Sequence, residues 1–341
     1  MSSWKISQSK KQKSKQLRLA FVAFSLILCL ILLAQVFKFT QMFFNPWTKP
    51  KIQNSYRWDG HSNINIVVRS DSIKLFSYNP KDQKITVVEI PDQIYLDVPG
   101  GLGSWQLSSV FGLGGGELLK QTLVNFFGMP IDGYLDSASL NDLTDKNPFS
   151  LLTLLPKIKT DLTPFELLKL KMGISGVRFD KIYEINLEEI GLLDKSNLAD
   201  GTEIFEGDPF RIDSLSGDLA DSVIKSEHKT VAIFNSTNHS GIAQKVARIL
   251  NNIGADVIIV SNGKDKYAKT IVTGEKSETL EKIKQIFGSK DNQSLPLSDD
   301  KDNQSLPLSD DKGKIDPGNE DLASSRAQIN VFLGEDYFNK L

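Results

Sequence analysis

Three short runs of mostly apolar, strand-favouring residues begin the part of the chain that follows residue 62. The runs INIVV, SIKLFSY and ITVVEI cover 64–68, 72–78 and 85–90, and Asn79 to Asp82 are residues that favour a turn. Short runs rich in Ile, Val, Phe and Tyr that are bounded by turn residues are typical of β-strands. The pattern therefore predicts three strands, of which the last two form a hairpin.

The spacing of apolar residues then changes to that of a helix. In ELLKQTLVNFFG (117–128) the apolar residues share one face, and Gly128 is a natural end. IDGYLDS (131–137) is again strand-like, and Thr163-Pro164-Phe165-Glu166 is a capping box that predicts the start of a second helix. Together with a predicted strand in RFDKIYEINL (178–187), this order predicts an α/β domain over 62–193.

A second α/β pattern occupies residues 229–338. It predicts four strands and two helices: strands at 230–235, 256–261, 269–273 and 328–334, a helix over IAQKVARILNNIG (242–254), and a helix with apolar residues from Leu280 to Phe287. Residues 194–228 are rich in Asp, Ser and Gly and are interpreted as a linker. DNQSLPLSDDK occurs twice in tandem at 291–312, and its polar composition predicts a disordered insertion over 289–325.

The N-terminal part of the chain is different, because from Leu19 to Phe37 only Ser25 and Gln35 are polar. A helix of this length spans the roughly 30 Å hydrocarbon core of a bilayer. A cleaved signal peptide would have a shorter apolar region and a small-x-small cleavage site. Six basic residues precede the span, so the positive-inside rule predicts a cytoplasmic tail (1–18), a transmembrane helix (19–39), a juxtamembrane linker (40–61) and an extracytoplasmic body.

Charge divides the chain in the same way. The 341 residues carry 40 Lys and Arg against 42 Asp and Glu, yet no acidic residue precedes Asp59. The first 58 residues therefore carry +10, and the rest, with 30 basic and 42 acidic residues, carries −12. This argues against nucleic acid as a partner, because a binding domain needs excess positive charge to contact phosphates. The single cysteine, Cys29, lies in the predicted span, so the body has no disulfide and no Cys/His zinc site.

The residues best suited to chemistry are Arg69 and Asp71, directly after the first predicted strand. An arginine at a strand end can bind a phosphate, and a nearby aspartate can bind its magnesium ion. The alternative, an ordinary surface ion pair, is the commoner role of such residues. Gly114 to Gly116 lack the spacing of nucleotide-binding loops and predict a tight turn with close backbone approach. The sequence has no serine-hydrolase or metalloprotease motif.

These features resemble the LytR-CpsA-Psr (LCP) proteins of bacterial envelopes. The segments INIVVRSDSIKLFSYNPKDQKITVVEIPDQIYLDVPG and GGGELLKQTLVNFFGMPIDGYLDSASL are similar to that family's core, with its R-S-D-T strand start, its S-I-P-R-D-T-Y segment and its G-G-x-E helix followed by G-I-x-I-D-x-Y. Residues 229–263 and 328–337 resemble the LytR C-terminal domain. The resemblance covers most of residues 62–140 and 229–338 and implies two α/β domains behind a transmembrane helix.

The resemblance also implies an activity. Active members move a glycopolymer from an undecaprenyl pyrophosphate carrier to the cell wall, with arginines on the pyrophosphate and aspartates on magnesium. Such chemistry depends on positioning and on neutralising phosphate charge. Carried over to this chain, Arg69 would contact the pyrophosphate and Asp71 would hold Mg²⁺, which makes these two residues the candidate catalytic site.

Three departures from the family pattern argue against full activity. Val68 runs directly into Arg69, so the aspartate of the family's preceding Gly-x-Asp is missing. Asp92 stands where the S-I-P-R-D segment has its arginine, and residues 141–150 contain no arginine. Each lost cation–phosphate contact is worth about 1.5–3 kcal/mol. Transferase activity is therefore expected to be weak or absent, and no cofactor is expected unless the protein is active with Mg²⁺.

The sequence thus predicts a single-pass protein of the cell membrane with a degenerate LCP-like domain, which binds or scaffolds at the cell wall. Its expected partners are the membrane and a cell-wall polymer or polyprenyl-linked glycan. The alternative is a divergent phosphotransferase that uses Arg69 and Asp71. A third hypothesis, transcriptional regulation, follows the family's historical label and is opposed by the predicted topology.

Overall fold

The computed structural model describes residues 24–25, 27–30, 33–34, 58–136, 158–288 and 326–338. Within these residues no helix combines the length and the apolar character that crossing a bilayer requires. The predicted cytoplasmic tail, most of the predicted span 19–39 and the repeat insertion 289–325 lie outside the described residues. The predictions for these segments stay predictions.

The first domain is built on a six-stranded mixed sheet. In sheet order its strands are β7 (Lys159–Thr160), β6 (Gly133–Asp136), β1 (Ile64–Arg69), β2 (Ile73–Asn79), β3 (Lys84–Ile90) and β8 (Ile182–Asn186). β1 pairs parallel with β6, and β3 pairs parallel with β8, whereas the other neighbours are antiparallel. The predicted strands and the β2–β3 hairpin are confirmed.

Two helices cover opposite faces of this sheet. They are α1 (Leu107–Phe127), which follows the small hairpin of β4 (Tyr95–Val98) and β5 (Gly103–Gln106), and α2 (Pro164–Ser175). Because side chains alternate along β1, Val67 packs on the α1 side while Ile66 and Val68 pack on the α2 side. The capping box predicted for α2 is present: the Thr163 side chain accepts from the Glu166 backbone N–H, and the Glu166 carboxylate accepts from that of Thr163.

Helix α1 begins ten residues before the predicted segment and is kinked in the glycine-rich stretch. Gly115 has φ 69°, which favours glycine, and Gly114 is also outside helical geometry. A Cβ on Gly116 would lie 2.4 Å from the Tyr134 ring, so the close approach expected of this stretch is confirmed. Gly128 ends the helix in the left-handed conformation, as predicted, and donates its N–H to the Val124 carbonyl.

The segment interpreted as a linker has more structure than its composition indicated. It contains β9 (Leu193–Asn197), β10 (Glu203–Gly207), α3 (Pro209–Ile212), α4 (Ser216–Leu219) and α5 (Ser222–Glu227). Several of its apolar side chains are buried, namely Ile204, Ile212, Leu215, Leu219 and Ile224, whereas Phe210 is exposed. The buried residues are spaced too irregularly for a periodic pattern, but Ile212, Leu215, Leu219 and Ile224 belong to the hydrophobic core that the segment shares with both domains.

The second domain is a four-stranded sheet with two main helices. Its strands, in sheet order, are β12 (Asp256–Asn262), β11 (Thr230–Asn235), β14 (Ile329–Leu333) and β13 (Ile271–Gly274). The helices are α6 (Ile242–Asn252), α7 (Glu278–Phe287) and the short α8 (Glu335–Phe338). The four predicted strands and two predicted helices are confirmed, with ends that shift by one or two residues.

Polar contacts join the two domains, which also share one hydrophobic core. Arg248 of α6 donates to the backbone carbonyls of Asn125 (2.7 Å) and Phe126 (2.8 Å) at the end of α1. Lys282 of α7 is buried, donates to the Asn63 carbonyl at 3.0 Å and lies 3.8 Å from the Asp132 carboxylate. The carbonyls left open at the end of α1 are thus satisfied by a side chain of the second domain.

Candidate functional site

Arg69 and Asp71 lie where β1 turns into β2. Arg69 is the last residue of β1, and its neighbours in register are Ile73 on β2 and Asp136 on β6. The Ser70 N–H donates to the Ser72 carbonyl at 3.2 Å and closes the turn, in which Asp71 is exposed. The two candidate residues are therefore two positions apart in the chain but differ in environment.

The Arg69 guanidinium is held on two sides. Its Nη1 lies 2.5 Å from Oδ1 of Asp136, whose side chain is only 6% exposed. The guanidinium carbon also lies 4.2 Å from the centre of the Phe111 ring, on the part of α1 before the kink. Sequence reasoning did not find Asp136 or Phe111, because neither the parallel pairing of β1 with β6 nor the earlier start of α1 leaves a local signal.

Asp92 adds a second carboxylate to this region. It follows β3 and Pro91, and burial raises the pKa of its carboxyl, while the charge of Arg69 and a backbone hydrogen bond from Ile73 oppose the rise. Its Oδ1 is buried without a hydrogen-bond partner among the described residues. A carboxyl stands here where the family resemblance implies an arginine, so this position supplies no cation to a phosphate.

Lys74, the next basic residue along the sheet, also has a carboxylate partner. Lys74 on β2 faces Glu89 on β3, and their charged atoms are 3.4 Å apart. From Trp58 to Val177, Arg69 is the only arginine in the sequence. A pyrophosphate at this strand end would therefore meet cations that already have carboxylate partners.

A second charged cluster, formed by Glu117, Lys120 and Asp161, connects α1 to the residue that follows β7. Lys120 forms ion pairs with Glu117 (2.9 Å) and Asp161 (2.5 Å), and Oδ1 of Asp161 accepts the Tyr134 backbone N–H. Burial lowers the pKa of Lys120, but these two carboxylates outweigh it and the pKa is raised. The Tyr134 ring contacts Phe111 edge to face, with centroids 6.5 Å apart, and so connects this cluster to Arg69.

Exposed apolar side chains lie close by in the chain. Leu113 follows Phe111 on α1, and Leu102 and Trp105 belong to the hairpin that leads into that helix; each is more than two-fifths exposed. Exposed apolar side chains grouped in this way can contact a lipid chain or a partner protein.

The carboxylates of this region are the candidate ligands for Mg²⁺. In the described ranges no three His, Cys, Asp or Glu side chains are placed to hold a metal ion. Asp136 is engaged by Arg69, and Asp71 is exposed in its turn. The described residues therefore do not assemble a magnesium site around Asp71, and the roles assigned to Arg69 and Asp71 stay predictions.

Comparison with family models matches both domains. Residues 58–147 match the LytR_cpsA_psr family, and residues 229–337 match the family described as LytR cell envelope-related transcriptional attenuator. Among curated proteins, a polyisoprenyl-teichoic acid–peptidoglycan teichoic acid transferase TagU of Enterococcus faecalis is 30% identical over 79 residues, which are 23% of this chain and 26% of that protein. TagU of Bacillus anthracis strain CDC 684 is 31% identical over 68 residues, 20% of this chain and 22% of that protein. The matched region thus spans about a quarter of the relatives' length.

Solved structures give a weaker likeness. A structure described as TagT bound to LIIa-WTA has a TM-score of 0.39 and 13% identity, and covers 51% of this chain and 96% of that chain. B. subtilis TagT has a TM-score of 0.37 and 13% identity, and covers 48% of this chain and 91% of that chain. The two family-model matches occur in the order that the sequence resemblance predicted. The chain therefore carries a region that matches the LytR-CpsA-Psr family, followed by a region that matches the LytR C-terminal family.

Proposed function

We propose that the protein is a single-pass, membrane-anchored protein of the cell envelope that binds a polyprenyl-linked glycan or a wall polymer and transfers it weakly or not at all. In this proposal the N-terminus is cytoplasmic and the two domains are extracytoplasmic. The apolar segment 19–39 and the charge difference on its two sides support the anchor.

The observation that carries the proposal is the ion pair between Arg69 and Asp136. Phosphoryl transfer depends on cations that neutralise charge as it shifts onto the leaving group. A pyrophosphate would have to compete with Asp136 for the Arg69 guanidinium, and if it displaced Asp136 the buried carboxylate would lose a charged hydrogen bond worth on the order of 1.5–3 kcal/mol. Asp92, near the guanidinium, opposes the approach of an anion further.

A divergent phosphotransferase is the second candidate function. It is supported by the names of the relatives, which are transferases that act on polyisoprenyl-linked teichoic acid. The exposed Leu102, Trp105 and Leu113 also support contact with a polyprenyl chain near Arg69. In this case the pyrophosphate would displace Asp136 from Arg69, and Mg²⁺ would supply the neutralising charge that the site lacks.

A transfer assay on the full chain in detergent distinguishes the two functions. The protein would be incubated with a polyprenyl-pyrophosphate-linked glycan, peptidoglycan and Mg²⁺, and covalent transfer and non-covalent retention on the wall would be measured separately. We expect retention on the wall without turnover, both in the wild type and in Arg69→Ala. Turnover that is lost in Arg69→Ala but kept in Arg211→Ala, an arginine of an exposed ion pair, would establish the transferase instead.

A further inference from the structure

The outer face of α2 and the turn that follows it carry apolar and basic side chains in contact with solvent. The apolar members are Phe165, Met172 and Phe179, which are 53%, 65% and 91% exposed. The basic members are Lys169, Arg178 and Lys181. These six residues are called the α2 surface below.

Helix geometry places two apolar members of the α2 surface on the same face of α2. Phe165 and Met172 are seven residues apart, which is close to two full turns, so their side chains lie on the same face about 10 Å from each other. Lys169 lies between them in the sequence, and its ammonium group is 4.7 Å from the centre of the Phe165 ring. Among the described residues this face is not part of the core, because the core side of α2 is formed by Leu167, Leu170 and Ile174.

The charge of the α2 surface differs from that of the body around it. Its three basic side chains lie in a body that carries −12 overall. Arg178 has one acidic neighbour, Asp180, with Nε 3.0 Å from the carboxylate, but both side chains are more than half exposed. Such a pair is worth little in water, so an anionic group could replace Asp180 at small cost.

The surface also lies where the chain enters the domain. The Trp58 N–H donates to the Glu166 carboxylate at 2.7 Å, and Lys169 donates to the Asp59 carbonyl at 3.0 Å. Trp58 is buried in the same apolar cluster as the inner face of α2. The predicted transmembrane helix ends at residue 39, so the polypeptide that comes from the bilayer joins the domain at the first turns of α2.

We propose that the α2 surface rests on the anionic outer leaflet of the membrane, with its phenylalanines and Met172 at the level of the headgroups and its cations on lipid phosphates. Exposed apolar side chains interleaved with Lys and Arg are the composition of helices that lie in a membrane interface. Each cation near an anionic leaflet contributes about 1 kcal/mol. The proposal rests on the membrane anchor of the proposed function and fixes which side of the domain faces the bilayer.

Site-specific fluorescence on the full chain tests this contact. In a Cys29→Ser background, single cysteines replace Phe179 or Phe210, and each is labelled with a fluorophore that brightens when water is excluded. Phe210 is a matched control, because it is 86% exposed but lies on α3. The chains are placed in lipid nanodiscs of phosphatidylcholine alone or with about a third phosphatidylglycerol, with spin-labelled lipid as quencher.

We expect the label at 179 to become about twofold brighter in phosphatidylglycerol discs and to be quenched by spin-labelled lipid, while the label at 210 is unchanged. Reversal of the three cations, in Lys169→Glu/Arg178→Glu/Lys181→Glu, should abolish the change. The same reversal at the exposed Lys195 should leave it intact.

Three results would overturn the proposal. They are an equal response at 179 and 210, no response at 179, and a response at a label on Leu102, which would place the opposite face of the sheet on the bilayer. Co-elution of the chain with the discs tests the anchor separately. If the chain does not enter discs, the same labels mixed with vesicles of the same lipids still show whether Phe179 contacts lipid.

Discussion

Arg69 and Asp136 occupy paired positions on the neighbouring parallel strands β1 and β6, and their side chains form an ion pair with an Nη1–Oδ1 distance of 2.5 Å. Asp136 thus already binds Arg69, the one arginine that the sequence resemblance places on the pyrophosphate. Because Asp136 is nearly buried, it cannot turn to water when an anion approaches. The strength of this pair therefore sets how well Arg69 can bind a phosphate.

The first prediction is that Asp136→Asn improves binding of a prenyl pyrophosphate. Asparagine keeps the shape and one acceptor oxygen but removes the negative charge that competes with the ligand. We expect the Kd for farnesyl pyrophosphate, measured by calorimetry on the full chain in detergent, to fall about tenfold, the effect of roughly 1.4 kcal/mol. Asp194→Asn, which removes the partner of Arg211 in an exposed pair, should leave the Kd unchanged. An equal gain in both variants would show a general charge effect.

Much of the fold follows from local signals in the sequence. Short strand-favouring runs with turn residues marked β1 to β3, the Thr163–Glu166 capping box marked the start of α2, and Gly128 marked the end of α1. Each of these signals depends on residues that are a few positions apart. These elements can therefore be predicted from the sequence alone.

The site could be predicted only in part. Arg69 and Asp71 stood out as residue types, but the partner of Arg69 lies 67 positions away on a strand whose pairing has no sequence signature. The folded segment 194–228 was missed for a similar reason. Its apolar residues are stabilised by the two domains that flank it and not by any pattern of their own.

The second prediction concerns the pH dependence of stability at Asp92. Burial raises the pKa of this carboxyl above that of the unfolded chain. A raised pKa means that the folded protein binds the proton more tightly, so the group favours folding at low pH and disfavours it once the pH exceeds the raised pKa.

Asp92→Asn should therefore raise the melting temperature at pH 7, by about 1–3 °C, and have a smaller effect at pH 4, because the charged form that burial disfavours is less populated at lower pH. Thermal unfolding of the full chain in detergent at the two pH values measures this. Asp97→Asn, an exposed aspartate on β4, is the matched control and should change little at either pH. A lower melting temperature for Asp92→Asn at pH 7 would mean that the site needs the charged form.

The third prediction concerns the buried charges between the domains. Lys282 lies 3.8 Å from Asp132, and both side chains are 6% exposed. Burial raises the pKa of Asp132, and the Lys282 ammonium opposes that rise. Removal of one partner takes the nearby opposite charge away from a buried charged group, which is expected to cost about 3–5 kcal/mol in either Lys282→Met or Asp132→Asn.

The double variant Lys282→Met/Asp132→Asn should be more stable than the sum of the two single effects by about 1–3 kcal/mol. Urea unfolding of the four proteins gives this coupling energy. The exposed pair Lys195–Glu188 provides a comparison cycle, in which coupling should stay below about 1 kcal/mol. If the effects at 282 and 132 simply add, the two charges do not stabilise each other and the junction is held by apolar packing.

The fourth prediction concerns Arg248, which connects α6 to the end of α1. Its guanidinium donates to the carbonyls of Asn125 and Phe126 and, through Nε at 2.9 Å, to Asp213. Arg248→Ala leaves these acceptors unsatisfied, so we expect a loss of about 2–4 kcal/mol in the free energy of unfolding. Arg248→Lys should recover less than half, because an ammonium cannot reproduce the planar set of donors.

Hydrogen exchange separates this role from a general loss of stability. In Arg248→Ala the amides in the last two turns of α1 should exchange faster than those of β2 and β3, because the end of the helix loses its partners before the sheet opens. Arg211→Ala, which breaks an exposed pair with Asp194, should leave the α1 amides unchanged and cost no more than about 1 kcal/mol. Uniform acceleration across α1 and the sheet in Arg248→Ala would instead mean that the second domain stabilises the first as a whole and that Arg248 has no special role at the helix end.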